Sequence, residues 1–378
     1  MKRITVFLLA ALLLSSPALA IEPLPADAIT IAAPSAILME RSTGTILYEK
    51  DAYAHLAPAS VTKVMTMLLV VEALEDGTLS PDTVVTASAR AAGMGGSQIW
   101  LEEGEQMTVH EMLKCVAVVS ANDCCVALAE HLAGSEEAFV ARMNRRAEEL
   151  GLQDTHFVSC SGLSDSDAHY TCAHDLAVIS RELMGHPMIR DYTTIWMDTI
   201  RGGSFGLSNT NKLIYYFPGA TGLKTGFTSK AMYCLSAAAE RDGTEYIAVV
   251  LRAPSSAERF ESARTLLNYG FANYALTAPP EAETLPSLPV TLGTEQCVSL
   301  RLAEPPRLLL EKGRAAKLRC ELTLPENIAA PVHVGDELGS MALYADGELL
   351  RTIPLLADSD VPRLDLWQRF AALLAALA

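Results

Sequence analysis

Two short apolar runs that flank a polar turn predict a β-hairpin near the start of the chain. Residues 36–40 and 45–49 have strand-like composition, and Ser42-Thr43-Gly44 between them is typical of a turn. A stretch rich in methionine, leucine and valine follows at residues 61–74 and predicts a helix. Ser60 stands just before this stretch, in the usual neighbourhood of a helix N-cap.

The next apolar periodicity predicts a mostly helical region at residues 108–150. Thr108 and Glu111 form a capping-box pattern ahead of its first apolar run. A break at residues 120–123 separates that helix from a second one, which continues through Leu132. A third, amphipathic helix is expected at residues 135–150, where Gly151 ends it.

Three strands at residues 223–227, 233–239 and 246–252 are predicted next, followed by a closing helix at residues 256–275. Prolines interleaved with acidic residues at 277–289 are typical of a linker. Short alternating segments within residues 290–358 predict a small β-rich domain. The fold class is therefore α+β, with an antiparallel sheet and helices in residues 21–276.

The first twenty residues have the pattern of an export signal. Lys2 and Arg3 precede an apolar run at residues 4–14, and Ala18-Leu19-Ala20 is a small-residue cleavage pattern. The apolar run is shorter than the roughly 20 residues that a membrane-spanning helix needs. We therefore expect an exported protein that acts at the extracytoplasmic face of the membrane or in the cell wall.

The last residues, 361–378, predict an amphipathic helix. Leu364, Trp367, Ala371 and Leu374 fall on one apolar stripe of this helix. Such a helix is suited to lie on a membrane surface, but an ordinary terminal helix docked on its own domain has the same pattern. The segment carries only two cations, so its electrostatic attraction to anionic lipid would be weak.

Charge excludes one class of partner. The 378-residue chain has a net charge of −16, and removal of the two cations in residues 1–20 makes it 27 − 45 = −18. Binding to nucleic acid requires clustered cations that neutralise phosphates, so a nucleic-acid partner is not expected.

The eight cysteines show no CxxC pair and no histidine spacing typical of zinc. Several of them, including Cys115 and Cys234, lie inside apolar runs, which favours small buried residues with free thiols. Pairing of Cys160 with Cys172, or of Cys297 with Cys320, stays open for an exported chain.

A serine and a lysine three residues apart are the first candidates for chemistry. On a helix, Ser60 and Lys63 share a face, so the amine can reach the hydroxyl. A serine becomes a good nucleophile when a base takes its proton. Burial in the apolar helix and a nearby cation such as Lys224 would lower the pKa of Lys63 toward working pH. Alone, this motif is more often a capped helix.

Two further motifs supply the remaining polar groups. Ser120-Ala121-Asn122 offers a hydroxyl that can relay a proton and an amide that can bind a substrate backbone, although it is also a common turn composition. Lys224-Thr225-Gly226 offers a cation and a hydroxyl for a substrate carboxylate. The glycine would allow the backbone of a ligand to approach. An exposed strand end is the structural alternative for this tripeptide.

Together, and in this order, the three motifs resemble the signature of penicillin-binding proteins and related β-lactamases. The chain is similar to the low-molecular-mass penicillin-binding proteins of the D-Ala-D-Ala carboxypeptidase family, especially the sporulation-associated type of Gram-positive bacteria. The likeness covers about residues 30–275 and continues more weakly into the C-terminal domain. It includes residues 58–66, 96–101, 120–123, 127–130, 209–213 and 219–228.

The resemblance implies a serine peptidase that removes the terminal D-alanine from peptidoglycan stem pentapeptides, binds penicillin and other β-lactams, and uses no metal or organic cofactor. Ser60 would form the acyl-enzyme, Lys63 would be the base and Ser120 would assist proton transfer. The backbone N–H groups of Ser60 and Phe227 would form the oxyanion hole. The implied substrate-binding residues are Asn122, Lys224, Thr225 and Gly226.

Some residues depart from the family pattern. Met232 stands where many relatives have glycine, Thr171-Cys172 replaces a more usual Ser-Thr pair, and Cys160-Ser161-Gly162 is unusual. A DD-endopeptidase is chemically close to a carboxypeptidase. A class A β-lactamase would also need a glutamate that activates the deacylating water, and no convincing one is found. A non-enzymatic wall-binding protein would not need intact Ser60, Lys63 and Lys224.

Overall fold

The computed structural model describes residues 21–370, and the chain divides between Tyr274 and Ala275 into two compact units. The predicted export signal, and the predicted positions of Ala371 and Leu374 on the terminal helix, lie outside the described residues. This helix begins at Leu366 and not at residue 361 as predicted, so Leu364 precedes it, because Val361 and Arg363 form β-bridges with Val332 and Gly293. Within residues 21–370, no helix is both long and apolar enough to cross a membrane.

An antiparallel five-stranded sheet forms the centre of the first unit, with strand order β2-β1-β9-β8-β7. The predicted hairpin and the three predicted strands are confirmed as members of this sheet. The strands of the first unit are β1 (Ser35–Glu40), β2 (Ile46–Lys50), β3 (Val84–Thr86), β4 (Gln106–Thr108), β5 (Met197–Ile200), β6 (Phe205–Ser208), β7 (Ala220–Thr228), β8 (Met232–Arg241) and β9 (Thr244–Ala253).

Helices cover this sheet and enclose its central strand. The predicted helices are confirmed to within a few residues as α1 (Lys63–Glu75), α3 (Val109–Val118), α4 (Asn122–Ala133), α5 (Glu136–Glu149) and α9 (Ser256–Asn273). The structure adds helices that were not predicted, namely α2 (Ala89–Ala92), α6 (Ala173–Gly185), α7 (Arg190–Thr193) and α8 (Leu213–Tyr216). Both α6 and α9 pack on β9, whose residues are buried at nearly every position. A strand buried on both faces is a continuous apolar run, which matches its sequence.

Helix α1 is the central helix of this unit. Its residues from Lys63 to Val71 are all buried, so it is enclosed by protein on every side. A short 3-10 turn, Ala59–Thr62, leads into it. Ser60 therefore lies within this turn, and its hydroxyl does not cap the helix, because it faces the Lys63 amine instead.

The break predicted at residues 120–123 is present between α3 and α4. Helix α3 begins with the predicted capping box of Thr108 and Glu111 and ends at Val118. Ser120 then has a φ of +66°, which stops the helical path before α4 starts at Asn122. The connection thus turns sharply and presents Ser120 and Asn122 at one end of two buried helices.

The second unit is rich in strands, as predicted. Its largest sheet has four antiparallel strands in the order β13-β18-β17-β15. The segment predicted as a linker, residues 277–289, is structured: it contains a 3-10 turn at Pro280–Glu283 and the start of a strand. The remaining elements are β10 (Tyr274–Thr277), β11 (Leu288–Thr291), β12 (Cys297–Val298), β13 (Leu300–Leu302), β14 (Leu308–Glu311), α10 (Lys312–Ala315), β15 (Arg319–Thr323), β16 (Ile328–Ala329), β17 (Glu337–Ala345) and β18 (Glu348–Ala357).

A buried histidine connects the irregular segment between α5 and α6 to the 3-10 turn that carries Ser60. The backbone N–H of Val158 donates to His169 Nδ1 at 3.0 Å, which leaves the proton of the neutral ring on Nε2. This nitrogen lies 2.8 Å from Thr62 Oγ1 and donates to it. Burial, followed by the charges of His156 and Lys230, lowers the pKa of His169 to about 4. The imidazole is therefore neutral in the folded protein at neutral pH.

We expect this histidine to make the protein less stable in mild acid. In the unfolded chain the imidazole takes up a proton near pH 6.5, whereas in the folded chain it does so near pH 4. The free energy of unfolding should therefore fall as the pH drops from about 6.5 to about 4, by roughly 3 kcal/mol from this group. The measurement is urea unfolding of the wild type and of His169→Gln across this pH range.

The difference between the two proteins isolates the histidine from the carboxylates that titrate in the same range. His131→Gln, at an exposed histidine, is the control and should follow the wild type. A difference between wild type and His169→Gln that stays constant from pH 7 to pH 4 would contradict the expectation.

Candidate active site

The Lys63 amine lies at the centre of the candidate site and is fully buried. Its Nζ lies 3.1 Å from Ser60 Oγ, and it donates to Asn122 Oδ1 at 2.6 Å and to the carbonyl oxygen of Ser161 at 2.7 Å. Burial lowers its pKa, although the nearby Cys125, Cys160 and Asp123 oppose this change. A neutral amine has two N–H groups, which the amide and carbonyl oxygens take up. Its lone pair then faces the Ser60 hydroxyl.

Asn122 is held by a loop that the sequence analysis matched but did not interpret. Its Nδ2 donates to the carbonyl of Gly95 at 2.7 Å, and its backbone N–H donates to the carbonyl of Ser97 at 2.7 Å. The Asn122 oxygen is already engaged by Lys63, so its position favours a role in orienting the amine. The substrate contact predicted for this side chain stays a prediction.

The adjacent Asp123 fixes the same loop further along. Its Oδ2 accepts from the backbone N–H groups of Ile99 and Leu101 at 3.0 and 3.1 Å. Trp100 lies between them with a φ of +56° and is 65% exposed. The loop thus presents an aromatic side chain beside the residues that hold the amine.

Ser120 is buried, and its Oγ has no hydrogen-bond partner within residues 21–370. An unpaired buried hydroxyl is costly unless something else satisfies it. Ser120 is two residues before Asn122, which contacts Lys63, and its hydroxyl is free of other hydrogen bonds within the described residues.

The Lys-Thr-Gly motif lies on β7, which is an edge strand of the main sheet. Lys224 is fully buried, and its Nζ donates to the carbonyl of Thr225 at 2.9 Å. Burial lowers its pKa well below the usual value, and the charges of Lys63 and then Arg259 lower it further. The alternative of an exposed strand end is therefore wrong. The expected effect of Lys224 on the pKa of Lys63 is not among the causes that shift it, whereas Lys63 does lower the pKa of Lys224.

Gly226 lies where the backbone of the turn that carries Ser60 comes very close, a contact that the sequence did not predict. A Cβ at this position would lie 2.7 Å from the carbonyl oxygen of Pro58 and 3.1 Å from the backbone nitrogen of Ser60. Glycine is needed here because the turn that carries Ser60 comes so close, and not only because a ligand may approach. This contact brings the Lys-Thr-Gly strand against the backbone of Ser60.

Arg259 is a residue of this region that the sequence analysis missed. From α9, its guanidinium donates to the carbonyls of Gly226 and Cys234 at 3.1 and 3.3 Å, and it is almost fully buried. Burial lowers its pKa. Thr210 was likewise matched without a role, and its Oγ1 accepts from Thr225 Oγ1 at 2.7 Å. Neither residue follows a local pattern, because both act across distant segments.

The site residues predicted from the three motifs therefore lie together. Direct contacts join Ser60, Lys63 and Asn122, and the Ser60 backbone meets Gly226. Phe227 follows on β7, and its ring is 55% exposed and packs on Tyr233, with ring centres 4.4 Å apart.

Comparison with known proteins identifies this arrangement. The family described as D-alanyl-D-alanine carboxypeptidase matches residues 22–255, and the family described as penicillin-binding protein 5, C-terminal domain, matches residues 281–363. This chain belongs to the D-alanyl-D-alanine carboxypeptidase family. It is a serine-type D-alanyl-D-alanine carboxypeptidase of the low-molecular-mass penicillin-binding type, with the expected α+β fold.

Individual relatives agree with this assignment. The carboxypeptidase is 42% identical over 337 residues to the D-alanyl-D-alanine carboxypeptidase DacF of Bacillus subtilis, covering 88% of this chain and 86% of the relative. A crystal structure of penicillin-binding protein 5 from Haemophilus influenzae is 29% identical with a TM-score of 0.73, over 89% of this chain and 99% of that one.

A further similar structure has an antibiotic bound. Penicillin-binding protein D2 from Listeria monocytogenes, in its ampicillin-bound form, is 31% identical to the carboxypeptidase with a TM-score of 0.59. The match covers 64% of this chain and 99% of that one.

The departures from the family pattern have local explanations. Met232 has a φ of +56°, a conformation that favours the glycine of its relatives. Cys172 caps α6 as a serine or threonine would, because its Sγ accepts from the backbone N–H of Asp175 at 3.3 Å.

Most cysteines of the carboxypeptidase are buried residues with free thiols, as expected from the sequence. All six in the first unit are buried thiols, so the Cys160–Cys172 disulfide is not formed, and Cys160 lies close to Cys125 instead. Cys297 is an exposed thiol, so it is not in a disulfide with Cys320 either.

We expect Gly226→Ala to slow acylation by penicillin by at least about tenfold, because the added methyl group must displace the turn that carries Ser60. The measurement is the second-order rate constant for labelling with a fluorescent penicillin. Gly206→Ala is a matched control on β6, where a Cβ meets nothing within 4 Å. Equal labelling rates for both variants and the wild type would show that the close contact does not position Ser60.

Proposed function

We propose that Ser60 is the nucleophile of this carboxypeptidase and that Lys63 is its general base. Ser60 Oγ attacks the carbonyl carbon of the bond between the two terminal D-alanines, and its proton passes to Lys63 Nζ. The bond to the terminal D-alanine then breaks, and the leaving amine takes up a proton. Water hydrolyses the resulting ester and frees Ser60.

The single observation that carries this proposal is the hydrogen bonding of Lys63. Two acceptors hold its N–H groups at 2.6 and 2.7 Å while Ser60 Oγ lies at 3.1 Å. Burial favours the neutral amine, which is the form that accepts a proton. No carboxylate takes part in these three contacts, so nothing in them fixes the amine in its charged form.

Ser120 completes the proton path in this proposal. It would pass a proton from Lys63 to the departing nitrogen, and the lack of a hydrogen-bond partner for its buried Oγ within residues 21–370 supports this role. A hydroxyl both donates and accepts, so it can relay a proton without becoming charged itself.

Lys224 and Thr225 are proposed to bind the free carboxylate of the terminal D-alanine. The buried Lys224 amine loses its proton readily because of burial and of Lys63, and an arriving carboxylate reverses this by favouring the ammonium form. Substrate binding and protonation of Lys224 are therefore linked. Asn122 contributes to substrate binding through its amide. The backbone N–H groups of Ser60 and Phe227 then stabilise the oxyanion.

Penicillin provides the test, because the family binds it and its amide would acylate the same serine. Purified protein is treated with benzylpenicillin, and the modified peptide is located by mass spectrometry. We expect one adduct on Ser60, none in Ser60→Ala, and labelling about a hundredfold slower in Lys224→Ala, which removes a charge-assisted contact worth about 3 kcal/mol.

Lys230→Ala is the control for Lys224. This lysine pairs with Asp167 at the surface, and its loss should leave labelling unchanged. An adduct on a different residue, or full labelling of Ser60→Ala, would overturn the assignment. Unchanged thermal unfolding of each variant shows that lost labelling is not lost folding.

A DD-endopeptidase activity is the second candidate, because it breaks the same kind of peptide bond. The position of β7 at the edge of the sheet is compatible with it, since an edge strand can pair with an extended peptide of either kind. Digestion of purified cross-linked peptidoglycan separates the two: released D-alanine indicates carboxypeptidase action, whereas released monomer peptides indicate endopeptidase action.

We further propose that the protein acts outside the cytoplasm after removal of residues 1–20, and that its last helix contacts the membrane surface. Asp365 and Gln368 form a reciprocal cap at the start of this helix. Leu366, Trp367 and Phe370 are then 78, 79 and 57% exposed. Large apolar side chains on one exposed face suit the boundary between headgroups and acyl chains.

We expect the full mature chain to co-sediment with zwitterionic phosphatidylcholine vesicles, and the triple variant Leu366→Gln, Trp367→Gln, Phe370→Gln to stay in solution. Neutral lipid is chosen because the support comes from apolar side chains and not from charge. The control is Tyr215→Gln, at an exposed aromatic residue of the first unit. Equal sedimentation of the wild type and the triple variant would exclude this membrane contact.

A further inference from the structure

The two acceptors that orient the Lys63 amine come from two separate segments. Asn122 opens α4, whereas Ser161 belongs to the irregular segment between α5 and α6. The position of the amine relative to Ser60 therefore depends on how these two segments are held together.

A pair of cysteines lies where these segments meet. Cys125 is one helical turn after Asn122 on α4, and Cys160 directly precedes Ser161. Their sulfur atoms are 3.8 Å apart, and Cys125 Sγ lies 3.2 Å from the carbonyl oxygen of Cys160, to which it donates. Both thiols are buried.

The same carbonyl is also bound from α1. Thr66, one turn after Lys63, donates its hydroxyl to the Cys160 carbonyl at 2.6 Å. The Cys160 carbonyl thus accepts hydrogen bonds from α1 and α4. The next carbonyl along the chain, that of Ser161, accepts a hydrogen bond from the Lys63 amine.

We propose that Cys125 and Cys160 are a redox-active pair that reacts with a low-molecular-mass disulfide, and that their oxidation weakens the hold on Lys63 and slows acylation of Ser60. The effect on acylation depends on the role proposed above for Lys63. The formation of the disulfide between Cys125 and Cys160 does not depend on that role.

The chemistry is a thiol–disulfide exchange in two steps. The Cys125 thiolate attacks one sulfur of the small disulfide RSSR, so that a mixed disulfide forms and one thiolate RS⁻ leaves. The Cys160 thiolate then attacks Cys125 Sγ and releases the second RS⁻. The two cysteines are oxidised by two electrons, RSSR is reduced to two RSH, and these take up the two thiol protons.

Forming the bond requires local movement. A disulfide places its sulfurs about 2.05 Å apart, so the pair must approach by roughly 1.8 Å from its present separation. Either the Cys125 side chain turns away from the Cys160 carbonyl, or residues 159–161 shift toward α4. Both movements disturb the peptide next to the one that accepts from Lys63.

The segment that carries Cys160 has no regular secondary structure, so packing and side-chain hydrogen bonds hold it in place. Between α5 and α6 the chain has no helix or strand and makes only isolated bridges, such as His156 with Tyr170. Helix α4, in contrast, is buried over its first eight residues. A small disulfide therefore reaches the buried sulfurs when residues 159–168 open.

Cys125 is the better attacking thiol of the two. Burial raises its pKa, but the hydrogen bond with Cys160 and the charge of Lys63 outweigh this and lower it overall. The hydrogen bond with Cys125 and burial raise the pKa of Cys160 well above its usual value. This order agrees with an initial attack by Cys125.

The experiment compares two preparations of the full protein, one equilibrated with oxidised glutathione and one with reduced glutathione. Both are held in urea below the unfolding transition, so that local opening occurs, and are then returned to buffer. Disulfide-linked peptides are mapped by mass spectrometry, and the rate of penicillin labelling is measured. We expect a Cys125–Cys160 link, labelling at least about tenfold slower, and recovery after reduction.

Cys160→Ala is the decisive control, because it removes the second sulfur and keeps the backbone carbonyl that Cys125 and Thr66 contact. Its labelling rate should not respond to oxidation. Cys115→Ala is the matched control for a competing pair, because Cys115 is hydrogen-bonded to the neighbouring Cys124. This variant should respond like the wild type.

Three results would overturn the proposal. They are the absence of the Cys125–Cys160 link, the same labelling rate with the link present, or slowing that persists in Cys160→Ala. A reduced wild-type protein that is not labelled on Ser60 would instead refute the proposed nucleophile, and the mapped link would still report on the cysteine pair.

Discussion

The buried amine of Lys63 is the interaction on which the rest of the site depends. A charged amine without a partner in such a place would cost several kcal/mol, so the fold must either neutralise it or bind it well. It does so with two uncharged oxygens, from Asn122 and Ser161. These orient the amine toward Ser60 without fixing its proton, which a carboxylate at the same distance would do. The amine is thus held in place and remains able to change its charge, as the role of general base proposed for it requires.

Each of those oxygens needs support from elsewhere in the chain. Asn122 is held through the carbonyls of Gly95 and Ser97, and Ser161 follows a peptide that Thr66 binds from α1. Gly162, with a φ of +77°, lies so close to the carbonyl of Ala59 that a Cβ would be 1.9 Å away from that oxygen. The loops around the site therefore also pack closely against the turn that carries Ser60.

Helices, strands and caps that depend on local pattern could be predicted from the sequence. Site residues that act through tertiary contacts could not. The capping box at Thr108 and the hairpin at residues 36–49 each involve residues that are close together in the sequence. The local sequence pattern was therefore enough to predict them. Arg259 gives no such signal, because its partners on β7 and β8 are more than twenty residues away. Gly226 was correctly identified as a point of close approach, but only folding shows that the approaching backbone belongs to Pro58 and Ser60.

Three of the residues around the same motifs have a strained backbone. Ala59, Trp100 and Ser120 have φ values of +49°, +56° and +66°, although none of them is a glycine. Each such residue costs about 1–3 kcal/mol, and such strain persists only where the surrounding structure fixes the conformation. Ala59 precedes Ser60, Ser120 lies at the start of the second motif, and Trp100 is on the loop that holds it. Stability alone would favour a relaxed backbone at these positions, and the fixed geometry that the proposed roles of Ser60 and Lys63 require would account for the strain.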